Sequence, residues 1–243
     1  MSGSRQYPPQ NGQYAVRVKY GPDWKVFDTV RMEISVGQPY HEGEKLVCTL
    51  KWANDRFDKV ALLVNDTLQR YNLMFDEGLI EKEAQSRTFR AGDEWIRRNI
   101  KPIVKSRASI FRWNDWLASP DYNKSETAVK NLYQTNLEFR NNIEHAISEV
   151  WDRRTLKDPD LMPRKEEFFE NSRRYLLEET AVFSIIYKTI PGISAYPGSF
   201  HEMWAMFVDR EVPGAPEGLK NSHCVRIDFR RNKKQSAPNQ NAA

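Results

Sequence analysis

The 243-residue chain has only two cysteines, Cys48 and Cys224, and four histidines. Two cysteines so far apart make neither a disulfide framework nor a finger-type metal pair. His41, His145, His201 and His223 are scattered, with none of the spacings of a zinc site. No metal is expected. So little use of cysteine suits a reducing compartment, and the expected location is the cytoplasm. No run approaches the roughly 20 apolar residues of a membrane helix. Met1 to Tyr20 lacks the apolar core of a secretory signal. No Walker loop is present, and no G-x-G-x-x-G follows a strand, so no nucleotide site and no cofactor are expected. The hydrolase elbow G-x-S-x-G is missing too, because Glu33 stands where Ser35 would need a glycine. No internal repeat is visible.

Core-forming material is there. Apolar residues make up 40% of the chain, with 7 Trp, 10 Tyr and 12 Phe, enough aromatic volume for a real core. Residues 1–14 and 231–243 read as loose tails around a single domain at 15–230. Net charge is only +4. Its distribution matters more, since Arg87 to Arg112 carries eight basic residues against Asp93 and Glu94. That local surplus exceeds the surplus of the whole chain and points to an anionic partner.

The pattern of elements is α/β. Val30 to Ser35 reads as a strand stopped by Gly37 and Pro39. Lys59 to Val64 is a continuous apolar run, as in a strand covered on both faces. Leu79 to Ser106 is helical in period, with Pro102 expected to bend or break it. Ala108 to Trp113 reads as a strand. Ser125 to Arg154 reads as one long helix capped by Ser125, and Pro163 opens another running to about Thr189. Ser199 to Glu202 has capping-box spacing for a short helix. Cys224 to Phe229 alternates as a late strand. Strands alternating with helices imply a mainly parallel sheet sandwiched by helices. Ligands of such folds bind beyond the carboxyl ends of the strands, where Ser35 stands.

Four residues offer chemistry. Ser35 ends a strand and is followed by turn residues, so its hydroxyl can face the crevice; a turn-capping serine is the plainer reading. Tyr175 and Glu179 are four apart and share a helix face. Together they can hold an ammonium or move a proton, or be merely core and solvated. Tyr196 precedes Pro197 and is therefore held extended.

In this order these residues resemble the tRNA-dependent cyclodipeptide synthase family, from about Val30 to Tyr196. A strand ends in Ile34-Ser35-Val36-Gly37-Gln38, a basic helix lies in mid-chain, and Tyr175, Glu179 and Tyr196 follow. One branch of that family has Asn three after the serine and His after the loop tyrosine. Gln38 and Pro197 place this chain with the other branch. The family often has Gly two before the serine, where this chain has Glu33.

The resemblance implies a Rossmann-like fold similar to the catalytic domains of class I tyrosyl- and tryptophanyl-tRNA synthetases. The signatures His-Ile-Gly-His and Lys-Met-Ser-Lys-Ser of those enzymes are absent. It also implies an aminoacyltransferase that joins amino acids from two aminoacyl-tRNAs into a 2,5-diketopiperazine, without ATP. No exposed apolar stripe demands a dimer, so a monomer is expected, with the oligomeric state left open. Ser35 would carry the acyl group, Tyr175 and Glu179 its ammonium, and Tyr196 a proton. Arg90, Arg97, Arg98, Lys101 and Lys105 would grip tRNA phosphates.

Glu33 shares a strand face with Ser35, so it is expected beside the first acyl group, where a carboxylate favours a cationic or polar side chain. Gly37, Gln38, Leu63, Val64 and Trp113 are expected to complete that pocket. A non-catalytic RNA-binding protein would need the basic helix but not Ser35. An acyltransferase or hydrolase for small esters would need the reverse.

Overall fold

The computed structural model describes residues 14–197 and 202–231. Among these residues six strands form one sheet: β1 (Tyr14–Tyr20), β2 (Thr29–Ile34), β3 (Lys59–Val64), β4 (Ser109–Arg112), β5 (Ile193–Tyr196) and β6 (Cys224–Arg231). Their order is β1-β6-β5-β2-β3-β4. Every pairing is parallel except that of β1 with β6. The mainly parallel α/β class read from the sequence is therefore the observed one. Most of the two expected tails lies outside the described residues, as does Ser199 of the capping box. Tyr14 and Arg231, assigned to those tails, pair with each other in β1 and β6.

From β2 the chain steps outward through β3 to β4, then returns to the other side of β2 as β5. The reversal makes a switch point between β2 and β5, and a crevice opens beyond their carboxyl ends. Ser35 follows the last residue of β2, and Tyr196 is the last of β5.

Side-chain alternation divides the core. Val30, Met32 and Ile34 of β2 face α1 (Gly43–Asn54) and α3 (Glu81–Lys105), with Leu62 and Val64 of β3 beside them. Leu63 faces the other layer. That layer holds α2 (Arg70–Glu77), α4 (Trp113–Leu117), α5 (Tyr122–Thr135), α6 (Leu137–Thr155) and α7 (Lys165–Thr189). From Glu178 to Tyr187 every residue of α7 is buried, so this helix is the spine of its layer.

Three local expectations are corrected. Pro102 does not break α3, which runs on to Lys105. The proline sits in the last turn, where little helix remains to be lost, and Ser106 N–H reaches back to the Pro102 carbonyl at 3.0 Å. The stretch from Ser125 to Arg154 is two helices. Asn136 interrupts it, and its side chain accepts from Phe139 N–H at 2.9 Å as the cap of α6. Ser125 is no cap. It is buried inside α5, where its hydroxyl donates to the Ala181 carbonyl at 2.9 Å.

A buried guanidinium ties the two halves of the sheet together. Arg31 of β2 donates to the carbonyls of Ile190, Gly192 and Asn221 at 3.1, 2.8 and 3.2 Å, and lies over the Tyr187 ring at 4.1 Å. These contacts fix the end of α7 and the entry to β5 against β2, and so set where Tyr196 emerges relative to Ser35.

Candidate active site

The turn after β2 presents the serine. Ser35 C=O accepts from Gln38 N–H at 3.2 Å, and Gly37 has φ of 89°. A type II turn needs such a positive φ at its third residue, and glycine takes it without strain. The main-chain N–H of Ser35 donates to Nδ1 of His41 at 2.9 Å. Nδ1 also lies 3.3 Å from the Ser35 carbonyl, so in either tautomer this nitrogen serves the Ser35 main chain. Burial holds the ring neutral by pushing its pKa down to about 4. His41 is thus an uncharged brace for the turn. Its ring packs edge-on against Tyr40 and Tyr196, with centroids 4.6 and 5.7 Å away.

The Ser35 hydroxyl lies 3.1 Å from the Tyr196 hydroxyl, which in turn lies 2.9 Å from the Tyr40 hydroxyl. All three residues line one cavity of about 360 Å³, together with Gln38, Gln69 and Tyr175. Its far wall is apolar, from Ile147 and Val150 of α6 and Phe168 and Leu176 of α7. Arg153 also lines it and is exposed. Gln69 Nε2 donates to the Tyr175 hydroxyl at 3.2 Å. Burial and the nearby carboxylate of Glu179 hold that phenol far above its ordinary pKa, so it stays protonated.

Beyond Tyr175 on α7 comes a buried acidic layer. Glu179 is 7% exposed and its Oε2 has no hydrogen-bond partner among the described residues. Its pKa is driven well up by burial first, then by the charges of Glu33 and Glu178. Glu33 is 4% exposed, and its Oε1 is also without a partner among the described residues. The hydroxyls of Ser194 and Tyr187 favour its ionised form without giving Oε1 a well-formed hydrogen bond; burial dominates and pushes it up to about 7. Buried polar atoms are almost always paired. Among the described residues, these two buried carboxyl oxygens thus lack the partners that such atoms almost always have.

Glu178, the neighbour of Glu179, is fully engaged. Arg70 grips both its oxygens, Tyr71 donates to Oε2 and Trp113 Nε1 to Oε1 at 2.8 Å each. This buried pair locks α2 to α7, and with them Gln69 to Tyr175.

The structure brings Ser35, Tyr175, Tyr196 and Gln38 to one cavity and sets Glu33 and Glu179 in the layer beside it. Gly37 serves the turn. Val64, expected in the pocket, faces the opposite layer, because it pairs with Ile34 rather than with Glu33. Leu63 shares the face of Glu33 but is packed in the core, and it does not line the cavity. Trp113 starts α4 instead of ending β4, and its indole serves Glu178. Sequence reasoning missed Tyr40, His41, Gln69 and Arg70. Tyr40 and His41 stand five and six residues after Ser35, close enough for the turn to have suggested them.

The basic helix is α3, and Arg90, Arg97, Arg98, Lys101 and Lys105 are all exposed on it. Arg98 reaches Glu42 at 2.9 Å. Arg112 leaves the basic surplus, since it pairs with the buried Asp66 and with Asp93. Among the described residues, Arg97, Lys101 and Lys105 have no ion-pair partner and form a stripe four residues apart. The described residues hold no cluster of His, Cys, Asp and Glu fit for a metal ion. Among the described residues no helix is long and apolar enough to cross a membrane.

A family profile described as Cyclodipeptide synthase matches residues 24–206. Among solved structures, a cyclodipeptide synthase from Fluoribacter dumoffii superposes with a TM-score of 0.80 at 26% identity, over 91% of this chain and 100% of the other. A cyclodipeptide synthase from Candidatus Glomeribacter gigasporarum, solved bound to Phe-tRNAPhe, gives 0.66 at 17% identity, over 88% and 93%. A Mycobacterium tuberculosis protein, whose structure relates cyclodipeptide synthetases to type I tRNA synthetases, gives 0.64 at 13% identity, over 90% and 95%. These last two bear on the fold alone. No curated protein matches the sequence.

Proposed function

The chain belongs to the cyclodipeptide synthase family, and from that premise we propose that it works by ping-pong acyl transfer with Ser35 as the acceptor. The observation that carries the reading is the Ser35 hydroxyl, 3.1 Å from that of Tyr196 at the switch point of the sheet, on a cavity also lined by Tyr175.

An aminoacyl-tRNA carries its amino acid as a ribose ester. Transfer to Ser35 exchanges one ester for another, so no ATP is needed. The amine of a second aminoacyl-tRNA then attacks the seryl ester and makes an amide, which is downhill. The dipeptidyl ester closes when its own free amine attacks, and Ser35 leaves. Covalent catalysis of this kind divides one hard step into easier ones.

Glu179 and Tyr175 receive the α-ammonium of the first acyl group. Burial, then the charges of Glu33 and Glu178, hold the Glu179 carboxyl well above the ordinary carboxylate range. An arriving cation favours its ionisation, and the carboxylate can then take the proton that the second amine must lose. Tyr196 hands a proton to or from Ser35. Glu33 turns its unpartnered oxygen to a cationic or polar side chain of the first amino acid. The stripe Arg97, Lys101 and Lys105, with Arg90 and Arg98, holds tRNA phosphates; such contacts position the substrate without reading sequence.

Labelled aminoacyl-tRNA incubated with the protein tests the reading. Radiolabel retained on the denatured chain, lost in Ser35→Ala, and a diketopiperazine in the medium are the expected results. tRNA binding without label would favour a non-catalytic RNA-binding role.

A further inference from the structure

A serine attacking a ribose ester meets two proton demands. Its own hydroxyl must lose a proton, and the departing ribose oxygen must gain one, because an alkoxide is a poor leaving group near neutral pH. Among the described residues no imidazole is hydrogen-bonded to Ser35 Oγ to meet either demand. His41 is committed through Nδ1 to the Ser35 main chain and held neutral by burial. Glu179 makes no hydrogen bond to the serine. What the structure offers is a line of hydroxyls, Ser35 to Tyr196 at 3.1 Å and Tyr196 to Tyr40 at 2.9 Å.

The last hydroxyl in that line is at the right place. Tyr40 is half-buried and lines the same cavity as the nucleophile. Its ring is held edge-on to Tyr196, with centroids 5.9 Å apart, and edge-on to His41. The hydroxyl is thereby aimed by packing on two sides. Tyr196 touches Ser35 on one side and Tyr40 on the other, so it cannot pass a proton in one direction without receiving one from the other. It needs a terminal partner that meets substrate.

We propose that Tyr40 is a catalytic residue, the end of a Ser35–Tyr196–Tyr40 proton relay that protonates the departing ribose oxygen. The proposal rests on Ser35 being the acyl acceptor. In the acylation step the Ser35 oxygen bonds to the acyl carbon as the bond from that carbon to the ribose oxygen breaks. The serine proton passes to Tyr196, the Tyr196 proton to Tyr40, and the Tyr40 proton to the ribose oxygen. Each phenol ends as it began, so no other acid, base or metal is required. On cyclisation the relay runs backward: as the amine nitrogen bonds to the acyl carbon and the bond to Ser35 Oγ breaks, the amine gives its proton to Tyr40, Tyr40 to Tyr196 and Tyr196 to Ser35.

Tyr40→Phe keeps the ring and removes only the hydroxyl. Single-turnover labelling of Ser35 is measured for wild type and variant with two donors of the same amino acid, the aminoacyl-tRNA and the p-nitrophenyl ester. The first leaving group needs a proton; p-nitrophenolate does not. The relay predicts that Tyr40→Phe slows acylation from tRNA by about 100-fold, within the usual reach of general acid catalysis. The affinity for aminoacyl-tRNA should stay within about three-fold of wild type, and the rate from the p-nitrophenyl ester, for which a water in place of the Tyr40 hydroxyl need only carry the serine proton away, should fall by less than about ten-fold. Equal loss with both donors, no loss with either, or a wild type inert toward the activated ester overturns the relay. Absence of label on wild-type Ser35 from aminoacyl-tRNA overturns the underlying reading of Ser35 as well, so the two failures are told apart.

Discussion

Replacing Glu33 with glutamine should change how the stability of this protein depends on pH. In the unfolded chain the carboxyl titrates near 4.5; in the fold, burial pushes it up to about 7. Between those values the folded protein keeps a proton that the unfolded chain has released. Stability therefore falls as pH rises through this window, and the loss is complete above about 7. The whole effect amounts to about 3 kcal/mol, of which about 2.5 falls between pH 5 and pH 8. Glutamine has the same shape and does not titrate, so Glu33→Gln should escape this loss. Urea unfolding of both proteins at pH 5 and pH 8 measures it. The variant should gain about 2.5 kcal/mol on the wild type across that interval, whatever their difference at pH 5. Glu179 adds in the same direction, because removing the Glu33 charge relieves it too. Parallel stability curves for the two proteins would mean that Glu33 is solvated or already paired, and the cation-accepting layer beside Ser35 would have to be given up.

Ser35→Ala should leave tRNA binding intact and abolish covalent labelling, read by autoradiography of denatured protein. Glu33→Gly should alter which amino acid enters first, seen by mass spectrometry of the diketopiperazines formed; an unchanged product would dismiss its pocket role. Reversing Arg97, Lys101 and Lys105 to Glu should weaken binding of every aminoacyl-tRNA alike and flatten the plot of log affinity against log salt by roughly 2 to 3 units of slope. Arg70→Met should cost about 3–5 kcal/mol in urea unfolding, because it strands Glu178 as a buried unpaired carboxylate. Arg70→Met together with Glu178→Met should recover much of that loss.

Local regularities made much of the architecture legible. The apolar run Lys59 to Val64, the alternation at Cys224 to Phe229 and the helical period before Ser106 gave their elements to within a few residues. Glycine and proline after Ser35 marked the turn that presents it, and Tyr175 with Glu179 followed from helical spacing. Features that depend on the partner of a residue were hidden. Tyr14–Tyr20 is a short strand whose identity comes from lying against β6. Asn136 ends one helix and caps the next within an otherwise continuous pattern.

Sequence alone determined the alternation of strands and helices, the serine at a strand end and the concentration of positive charge on one helix. All of these are written in spacings of a few residues. Tertiary structure decided the rest. It placed β5 beside β2, so that Tyr196 came within reach of a serine 161 positions away. It chose which of Leu63 and Val64 faced the layer of Glu33, removed Arg112 from the charged surface and left two carboxyl oxygens without partners among the described residues. The reason is that proximity, burial and desolvation depend on what the chain brings from far away, and no local pattern records them.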